Sequence, residues 1–351
     1  MKIRRKKTSM ARKLMRVLVV FLAVVFTLLL AFTFYMEWML GRMQYDPSEV
    51  ETYSQEEIQQ ILNNGEETMD PTAEVIDSDD VDWEEVEKIT SGKHIINIML
   101  VGQDRRPGEP RSRSDVMLLV TVNTNTRQVT MTSFLRDLYV QIPGYMNNRI
   151  NVPYLLGGAE LLFDTLEMNF GIRPDYFVEV DFNGFKDVVD VIGGVDMELT
   201  EKEVNHLNNN EAMYGFAEES WELKPGKNHL TGAQALSYAR IRKIDPTGDF
   251  ARTERQRRMI MAIVDEVKDL DLWEINDLLL EMTDMITTDM SPSEILSYAR
   301  VLYPVLTNMG EVNSLHIPAG NHFYSVNVQG IGYVIVPDLP TNSAIIAEYQ
   351  K

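Results

Sequence analysis

The distribution of apolar and polar positions divides the chain into an N-terminal apolar run, an acidic stretch and a long region of alternating short elements. The apolar run, Val17 to Met36, contains twenty residues and no charged side chain. At about 1.5 Å per residue, a helix of that length spans about 30 Å, the thickness of a membrane's hydrocarbon core. The pattern predicts a transmembrane helix over residues 17–38, and its length favours a retained anchor over a cleaved signal peptide.

Short apolar runs and amphipathic segments alternate from Lys93 onward. The short runs predict β-strands, at 95–101, 116–122, 128–134, 176–180, 195–199 and 312–317. Apolar residues three or four positions apart predict helices, at 153–170, 182–191, 230–239, 249–267, 272–284 and 292–303. Such interleaving is typical of an α/β fold. We therefore expect residues 93–320 to form one α/β/α domain with a mixed central sheet flanked by helices, residues 200–228 to be irregular, and residues 321–351 to form a C-terminal tail.

Charge is distributed unevenly along the chain. The formal net charge is −20, yet the first sixteen residues carry eight Lys or Arg and no acid. The positive-inside rule then places residues 1–16 in the cytoplasm as a basic tail, and the domain beyond the span outside the cell. Residues 39–92 are rich in Asp and Glu and predict a solvated acidic extracellular linker. The strong negative charge argues against nucleic acid as a partner.

Several common kinds of active site are excluded by what the sequence lacks. Cysteine is absent, so the chain has no disulfide, no thiolate-bound zinc and no cysteine nucleophile. Its five histidines never fall at metal-ligand spacing, and no Ser nucleophile elbow, P-loop or Rossmann glycine pattern occurs.

The clearest sign of chemistry is a group of arginines between Tyr238 and Gln256, which the acidic background makes conspicuous. The Asp-Pro-Thr-Gly-Asp segment among them predicts a turn, and Asp249 is placed to cap the helix that follows. Guanidinium groups hold phosphate with paired hydrogen bonds, and a helix N-terminus also favours anions. We predict that Arg240, Arg242, Arg252 and Arg255 form a pocket for a multiply charged phosphate group. The alternative is that these arginines form salt bridges with the many acidic residues.

Three further polar clusters follow or precede predicted strands: Gly102 to Arg106, Arg113 to Asp115, and Arg136 with Asp137. If the first two strands are neighbours, Asp104 and Asp115 can converge. Two carboxylates beside a diphosphate commonly form a binding site for Mg²⁺. For each aspartate the alternative is an ordinary loop cap or turn residue.

These motifs together resemble the LytR-CpsA-Psr family, over about residues 96–263 and more weakly to about residue 318. The resemblance is carried, in order and spacing, by Leu100–Arg106, Arg113–Asp115, Ser133–Asp137, Arg149–Asn151, Gly193–Val195 and above all Tyr238–Gln256. The sequence departs from the family pattern at Leu135, where the family usually has Pro, and at Arg149, where it often has Lys. Neither departure removes a charged residue of the predicted site.

The resemblance implies an enzyme that attaches a glycopolymer, such as teichoic acid or capsule, to peptidoglycan in the Gram-positive cell wall. The donor would be a polyprenyl diphosphate-linked glycan at the outer membrane face, with its lipid tail in an apolar tunnel between sheet and helices. Asp104 and Asp115 would hold Mg²⁺ or Mn²⁺. Arginines and one glutamine would bind the diphosphate: Arg136, Arg240, Arg242, Arg252 and Gln256, supported by Arg106, Arg113 and Arg255.

Phosphoryl transfer depends mostly on positioning and charge stabilisation, so arginines and a metal suffice without a covalent nucleophile. Arg136, Arg240 and Arg242 would stabilise the reacting phosphate. Asp249 or Asp137 would take the proton of the acceptor hydroxyl, and the sequence does not choose between them.

Two other functions stay open at this stage. A non-catalytic protein could bind or sense the lipid-linked glycan, and a diphosphatase could pass the phosphate to water. Five residues are candidates for the tunnel lining, although an ordinary core position is the favoured interpretation for each: Leu118, Phe163, Phe177, Ile260 and Val264.

Overall fold

A computed structural model describes residues 69–105, 111–209, 221–242, 244–268, 285–307 and 312–351, together with residues 27, 34–35, 38, 41, 44–45, 54, 56–58, 215, 270, 274, 278 and 281–282. Most of the predicted membrane span at 17–38 and of the predicted helix at 272–284 lies outside the described residues. Within the described part of the chain, none of the helices combines the length and apolar character needed to cross a membrane.

The strands and helices follow one another along the whole described chain. The strands are β1 (Gln44–Tyr45), β2 (Val75–Ile76), β3 (Ile95–Gln103), β4 (Ser114–Asn123), β5 (Gln128–Phe134), β6 (Tyr139–Val140), β7 (Asn148–Arg149), β8 (Tyr176–Asp181), β9 (Val195–Leu199), β10 (Gly226–Leu230), β11 (Thr287–Thr288), β12 (Asn313–Ile317), β13 (Phe323–Val328) and β14 (Gly332–Pro337). The helices are α1 (Val152–Phe170), α2 (Phe182–Val191), α3 (Glu201–Leu207), α4 (Gly232–Ala239), α5 (Asp249–Val267), α6 (Pro292–Thr307) and α7 (Leu339–Ala347).

The central sheet has the strand order β1-β11-β8-β3-β4-β5-β12 and is mixed. Strands β3, β4 and β5 form an antiparallel meander, whereas β8 runs parallel to β3 and β12 parallel to β5. The turn between β4 and β5 forms because the Asn123 side chain accepts hydrogen bonds from the backbone N–H groups of Asn125 and Thr126, both at 3.0 Å. The mixed α/β architecture is confirmed.

Side chains alternate between the two faces of this sheet, as a pleated strand requires. Met99 and Phe177 pack on one face with Phe163 of α1. On the other side of the sheet lie α2, α4 and α5, which share a second core with the separate antiparallel pair β9–β10. Residues 200–228, predicted to be irregular, contain α3 and the start of β10. The missed signal is a capping box, in which Thr200 and Glu203 bond reciprocally at the start of α3.

The folded unit extends beyond the predicted boundaries at residues 93 and 320. Strand β2 pairs with β13, and the Asp70 backbone N–H donates to the Asn327 side chain at 2.9 Å. Trp83 packs on Tyr139 with ring centroids 5.6 Å apart. The described residues 69–92 therefore lie against the domain instead of forming a solvated linker, because apolar side chains interrupt the acidic ones. Residues 321–351 likewise form β13, β14 and α7, which pack as an integral part of the domain.

Candidate active site

A cavity of about 330 Å³ lies between the sheet and the helices α2, α4 and α5. Its inner wall is apolar and is contributed by three sheet strands and these helices, with Leu100, Val116, Val178, Val180, Phe182, Phe185, Leu236, Ala239, Met259 and Ile260. Of the five residues predicted for a lipid tunnel, Ile260 alone lines this cavity. Phe163 and Phe177 belong to the core on the opposite face of the sheet, while Leu118 and Val264 are not among the lining residues.

Arginines from three separate segments meet along the same cavity. Arg136 follows β5, Arg240 ends α4, and Arg242 lies in the turn before α5. Arg252 and Gln256 occupy the first turns of α5. The sheet and the helix packing thus bring together the residues that the sequence predicted for diphosphate binding. Four arginines therefore line an otherwise mostly apolar cavity, together with the carboxylate of Asp115.

The guanidinium groups of Arg136 and Arg252 keep unused donors. Arg136 donates to Asp115 at 2.7 Å, and Arg252 lies 2.7 Å from Asp249. The Nε atom of each arginine is nevertheless buried and makes no hydrogen bond. Burial opposes the charge on Arg136, but the carboxylates of Asp115, Asp137 and Asp249 outweigh it and raise its pKa. Because buried polar groups are nearly always satisfied, these donors indicate a place for an anionic ligand.

Asp249 is the first residue of α5 and not its N-cap, contrary to prediction. Gly248 takes the cap position with a φ of 53°, a left-handed value that glycine adopts without strain. The Asp249 carboxylate is thereby directed at the arginines, 2.7 Å from Arg252 and 3.9 Å from Arg242. Burial raises its pKa, although the neighbouring arginines act in the opposite direction. A buried aspartate of this kind is suited to general-base work.

Some of the predicted site residues lie elsewhere. Arg255 ion-pairs with Glu203 at 2.9 Å and with Asp245. The reason is helical geometry: at about 100° per residue, Gln256 lies close to Arg252 around α5, whereas Arg255 points to the other flank. Asp104 is exposed at the end of β3, and neither it nor Arg113 lines the cavity. Arg106 falls outside the described residues.

Two residues under the site were not predicted. The guanidinium of Arg240 lies 4.5 Å from the ring centroid of Phe182, a cation–π contact that orients it at the cavity. Glu179 is buried in β8 and accepts hydrogen bonds from Gln103 and Tyr154. Gln103 in turn accepts from the backbone N–H of Ser112 at 2.7 Å, which ties the end of β3 to the β3–β4 loop. The signal for Glu179 was its acidic side chain between the apolar residues Val178 and Val180.

Arg255→Ala is expected to lower the free energy of unfolding by about 3 kcal/mol, because it leaves the buried Glu203 carboxylate with a weaker partner. Although burial opposes ionisation of Glu203, hydrogen bonds from Thr200 and Arg255 lower its pKa below the ordinary 4.5. This stabilisation is present above pH 4.5 and is lost as pH falls through the lowered pKa. In urea titrations, the difference in unfolding free energy between the wild-type protein and Arg255→Ala should therefore become smaller at acidic pH. Arg258→Ala, at a more exposed partner of Glu203, should cost much less; an equal loss would contradict this account.

The site thus combines an apolar cavity with four lining arginines, an arrangement that suits an amphiphile with a multiply charged anionic head group. The chain belongs to the LytR_cpsA_psr family, whose model matches residues 57–344.

Named relatives agree with this membership. A curated relative from Bacillus mycoides, polyisoprenyl-teichoic acid–peptidoglycan teichoic acid transferase TagU, is 32% identical over 245 residues, 69% of this chain and 74% of its own length. A relative of the same name from Enterococcus faecalis is 34% identical over 205 residues, 57% of this chain and 63% of its own. The solved structure described as "TagT bound to LIIa-WTA" has a TM-score of 0.60 and 27% identity, covering 76% of this chain and 92% of that one.

Proposed function

We propose that this protein is a transferase that moves a glycopolymer from a polyprenyl diphosphate carrier to peptidoglycan. The proposal depends above all on one observation, the convergence of Arg136, Arg240, Arg242 and Arg252 on one apolar cavity. An isoprenoid diphosphate has the same division into an apolar tail and a charged head. The names of the curated relatives, which include a polyisoprenyl-linked donor and a peptidoglycan acceptor, support this choice.

The reaction joins an acceptor hydroxyl oxygen to the phosphorus that carries the glycan and breaks the bond between that phosphorus and the bridging oxygen of the diphosphate. Polyprenyl phosphate leaves with the bond's electron pair. The guanidinium groups and the Gln256 amide stabilise the charge on the phosphate oxygens during transfer. Asp249 accepts the proton of the hydroxyl. The apolar wall holds the isoprenoid and excludes water, which would otherwise compete as acceptor.

A divalent cation fits this site only together with the substrate. The described residues contain no group of three or more His, Cys, Asp or Glu side chains that could hold a metal by themselves. Asp115 lies at the cavity, and Asp104 follows Gln103, which pairs with Ser114 of β4. Mg²⁺ commonly takes one or two carboxylates and completes its shell with substrate phosphates and water. We propose that Asp104 and Asp115 hold Mg²⁺ or Mn²⁺, which would neutralise diphosphate charge when bound.

Chelation with EDTA is expected to abolish transfer, and added Mg²⁺ to restore it. Asp115→Asn should raise the Mg²⁺ concentration needed for half-maximal rate by about tenfold or more, because one anionic ligand becomes neutral. The matched control is Asp164→Asn. Asp164 lies on α1 and pairs with Arg173, so this variant should leave the Mg²⁺ dependence unchanged. Full activity of the protein in EDTA would contradict a role for the metal.

The N-terminal sequence supports placing this activity at the outer face of the cell membrane. The basic residues 1–16 and the apolar run at 17–38 would anchor the chain with its N-terminus in the cytoplasm. The domain would then meet lipid-linked donors and the cell wall on the same side of the membrane. Protease treatment of intact protoplasts tests this, since an external domain is degraded while the lipid bilayer remains closed.

The function is tested by incubating the full-length protein in detergent with a short-chain prenyl diphosphate-linked glycan, peptidoglycan oligomers and Mg²⁺. Mass spectrometry should detect a glycan-phosphate-peptidoglycan product together with prenyl phosphate. Prenyl phosphate without the joined product would indicate a diphosphatase. Tight binding of the lipid without either product would indicate a protein that only binds or senses the carrier.

A further inference from the structure

A second cavity lies between residues 82–84 and the elements near the C-terminus. Its volume is about 580 Å³, within the range of about 300–1,000 Å³ found for small-molecule sites. It opens between the segment before β3, strand β13 and the start of α7. We call it the C-terminal cleft, and the side chains that matter for its chemistry are Asp82, Trp83, Glu84, Asn321, Tyr324 and Asp338.

Two aromatic side chains of the cleft differ in how firmly they are held. Trp83 is half-buried and packs on Tyr139, whose hydroxyl lies 2.9 Å from the Ser78 hydroxyl oxygen. Tyr324 leaves 49% of its surface exposed, although its backbone pairs with Val336 of β14. An exposed aromatic ring on a rigid strand is a surface on which the C–H face of a sugar ring can pack, with a polar rim left in water.

The polar groups of the cleft are mainly acceptors. Asp82, Glu84 and Asp338 can only accept hydrogen bonds when ionised, so they suit a ligand rich in hydroxyl and amide N–H donors. One oxygen of Asp338 already accepts from the Thr341 backbone at 3.1 Å, which fixes that carboxylate at the start of α7. Burial, together with the charge of Asp82, raises the pKa of Tyr324.

The cleft is therefore opposite in character to the arginine-lined cavity. None of its described lining residues is Lys or Arg, and its one histidine, His322, lies 3.8 Å from the Asp338 carboxylate. The three carboxylates therefore outweigh the basic groups and disfavour phosphate and other anions. A neutral ligand with many hydroxyl groups and amide N–H groups could pack on the aromatic surface and donate hydrogen bonds to the acceptors. The polyanionic donor, by contrast, is directed to the arginines.

The cleft is connected to the reaction site through packed side chains and one backbone hydrogen bond. Phe323, which lines the cleft, packs on Phe250 with ring centroids 5.8 Å apart. Phe250 follows Asp249 directly in α5. Strand β14 is joined to the site as well, since the Ile335 N–H donates to the Asp137 carbonyl at 2.9 Å. A chain seated in the cleft would thus approach the aspartate end of the arginine cluster.

We propose that the C-terminal cleft binds an uncharged chain of β-linked N-acetylated amino sugars. As the acceptor glycan it would present a hydroxyl toward Asp249. The acceptor role rests on the transferase function proposed above, whereas the saccharide binding does not depend on it.

The binding is tested by calorimetric titration of the full-length protein in detergent with a tetramer of β-1,4-linked N-acetylglucosamine, free of peptide and lipid. Saturable binding is expected, weakened about tenfold or more by Tyr324→Ala and weakened also by Glu84→Gln. Tyr303→Ala, which alters an equally exposed tyrosine on α6, should change nothing. Failure of the tetramer to bind would overturn the proposal, as would unchanged affinity in both cleft variants. Binding of a free stem peptide in place of the saccharide would overturn it too.

A second readout separates this proposal from the transferase function. In the transfer assay Tyr324→Ala should raise the KM for the acceptor at least tenfold and leave the KM for the donor unchanged. Arg240→Ala should still bind the tetramer with full affinity. Saccharide binding without transfer by the wild-type protein would refute the transferase function and keep the cleft as a saccharide site. Transfer without saccharide binding would refute the cleft and keep the transferase.

Discussion

Replacing Asp249 with asparagine is expected to lower the rate of glycopolymer transfer by about 10²- to 10⁴-fold, the usual contribution of a general base. Asparagine keeps the size of the side chain and its place in the first turn of α5, but its amide does not accept a proton. Burial raises the pKa of the aspartate above its ordinary value, which makes it a stronger base than an exposed aspartate. The measurement is kcat with saturating donor and acceptor, with folding checked by circular dichroism.

The pH profile gives this prediction a second test. Asp249 acts as a base only when deprotonated, so kcat/KM of the wild-type protein should fall as pH decreases through its pKa. That limb should lie above the ordinary aspartate pKa of 3.8 and should be absent from the residual activity of the variant. Asp137→Asn is the comparison, because Asp137 lies 3.7 Å from Arg149 and 3.8 Å from Arg136. If that variant loses more activity and the acid limb, Asp137 is the base.

Local patterns were enough to predict the strands and helices that build the site. Strand β5 and helix α2 begin and end where apolar periodicity predicted, at Gln128–Phe134 and Phe182–Val191. Strand β5 is buried from its second residue onward, and α2 buries one face with Gly184, Val188 and Val189, so local and tertiary preferences agree in both. The chemical type of the site could also be predicted, because four arginines so close together in an acidic chain indicate an anionic partner.

Side-chain direction could not be predicted with the same success. Arg252 and Arg255 are three residues apart, and only the packing of α5 against α3 and the sheet decides that one points to the cavity while the other pairs with Glu203. Likewise the sequence predicts Asp249 as the N-cap of α5, whereas Gly248 occupies that position in the structure. The C-terminal cleft could not be predicted at all, because residues 82–84 meet β13 only through pairings far apart in sequence.

Arg240→Ala is expected to lower kcat by about 10²- to 10³-fold, the loss that follows removal of one donor aimed at developing charge. Its guanidinium is held on the Phe182 ring at the cavity, so it is already oriented before the diphosphate arrives. Arg240→Lys keeps the charge but not the planar pair of donors, and should recover only part of the rate. Comparing kcat for these two variants separates the contribution of the arginine's positive charge from that of its planar pair of donors.

Arg173→Ala provides the matched control for Arg240→Ala. Arg173 also lies over an aromatic ring, 5.8 Å from the centroid of Phe163, but it pairs with Glu160 and Asp164 on α1 and does not line the cavity. Its loss should leave kcat unchanged, because surface ion pairs contribute little and no reacting group is near. A folded Arg240→Ala protein with the wild-type rate would refute the assignment of the arginine-lined cavity as the reaction site. Equal losses in both variants would show that the effect is general to arginine removal and not specific to that cavity.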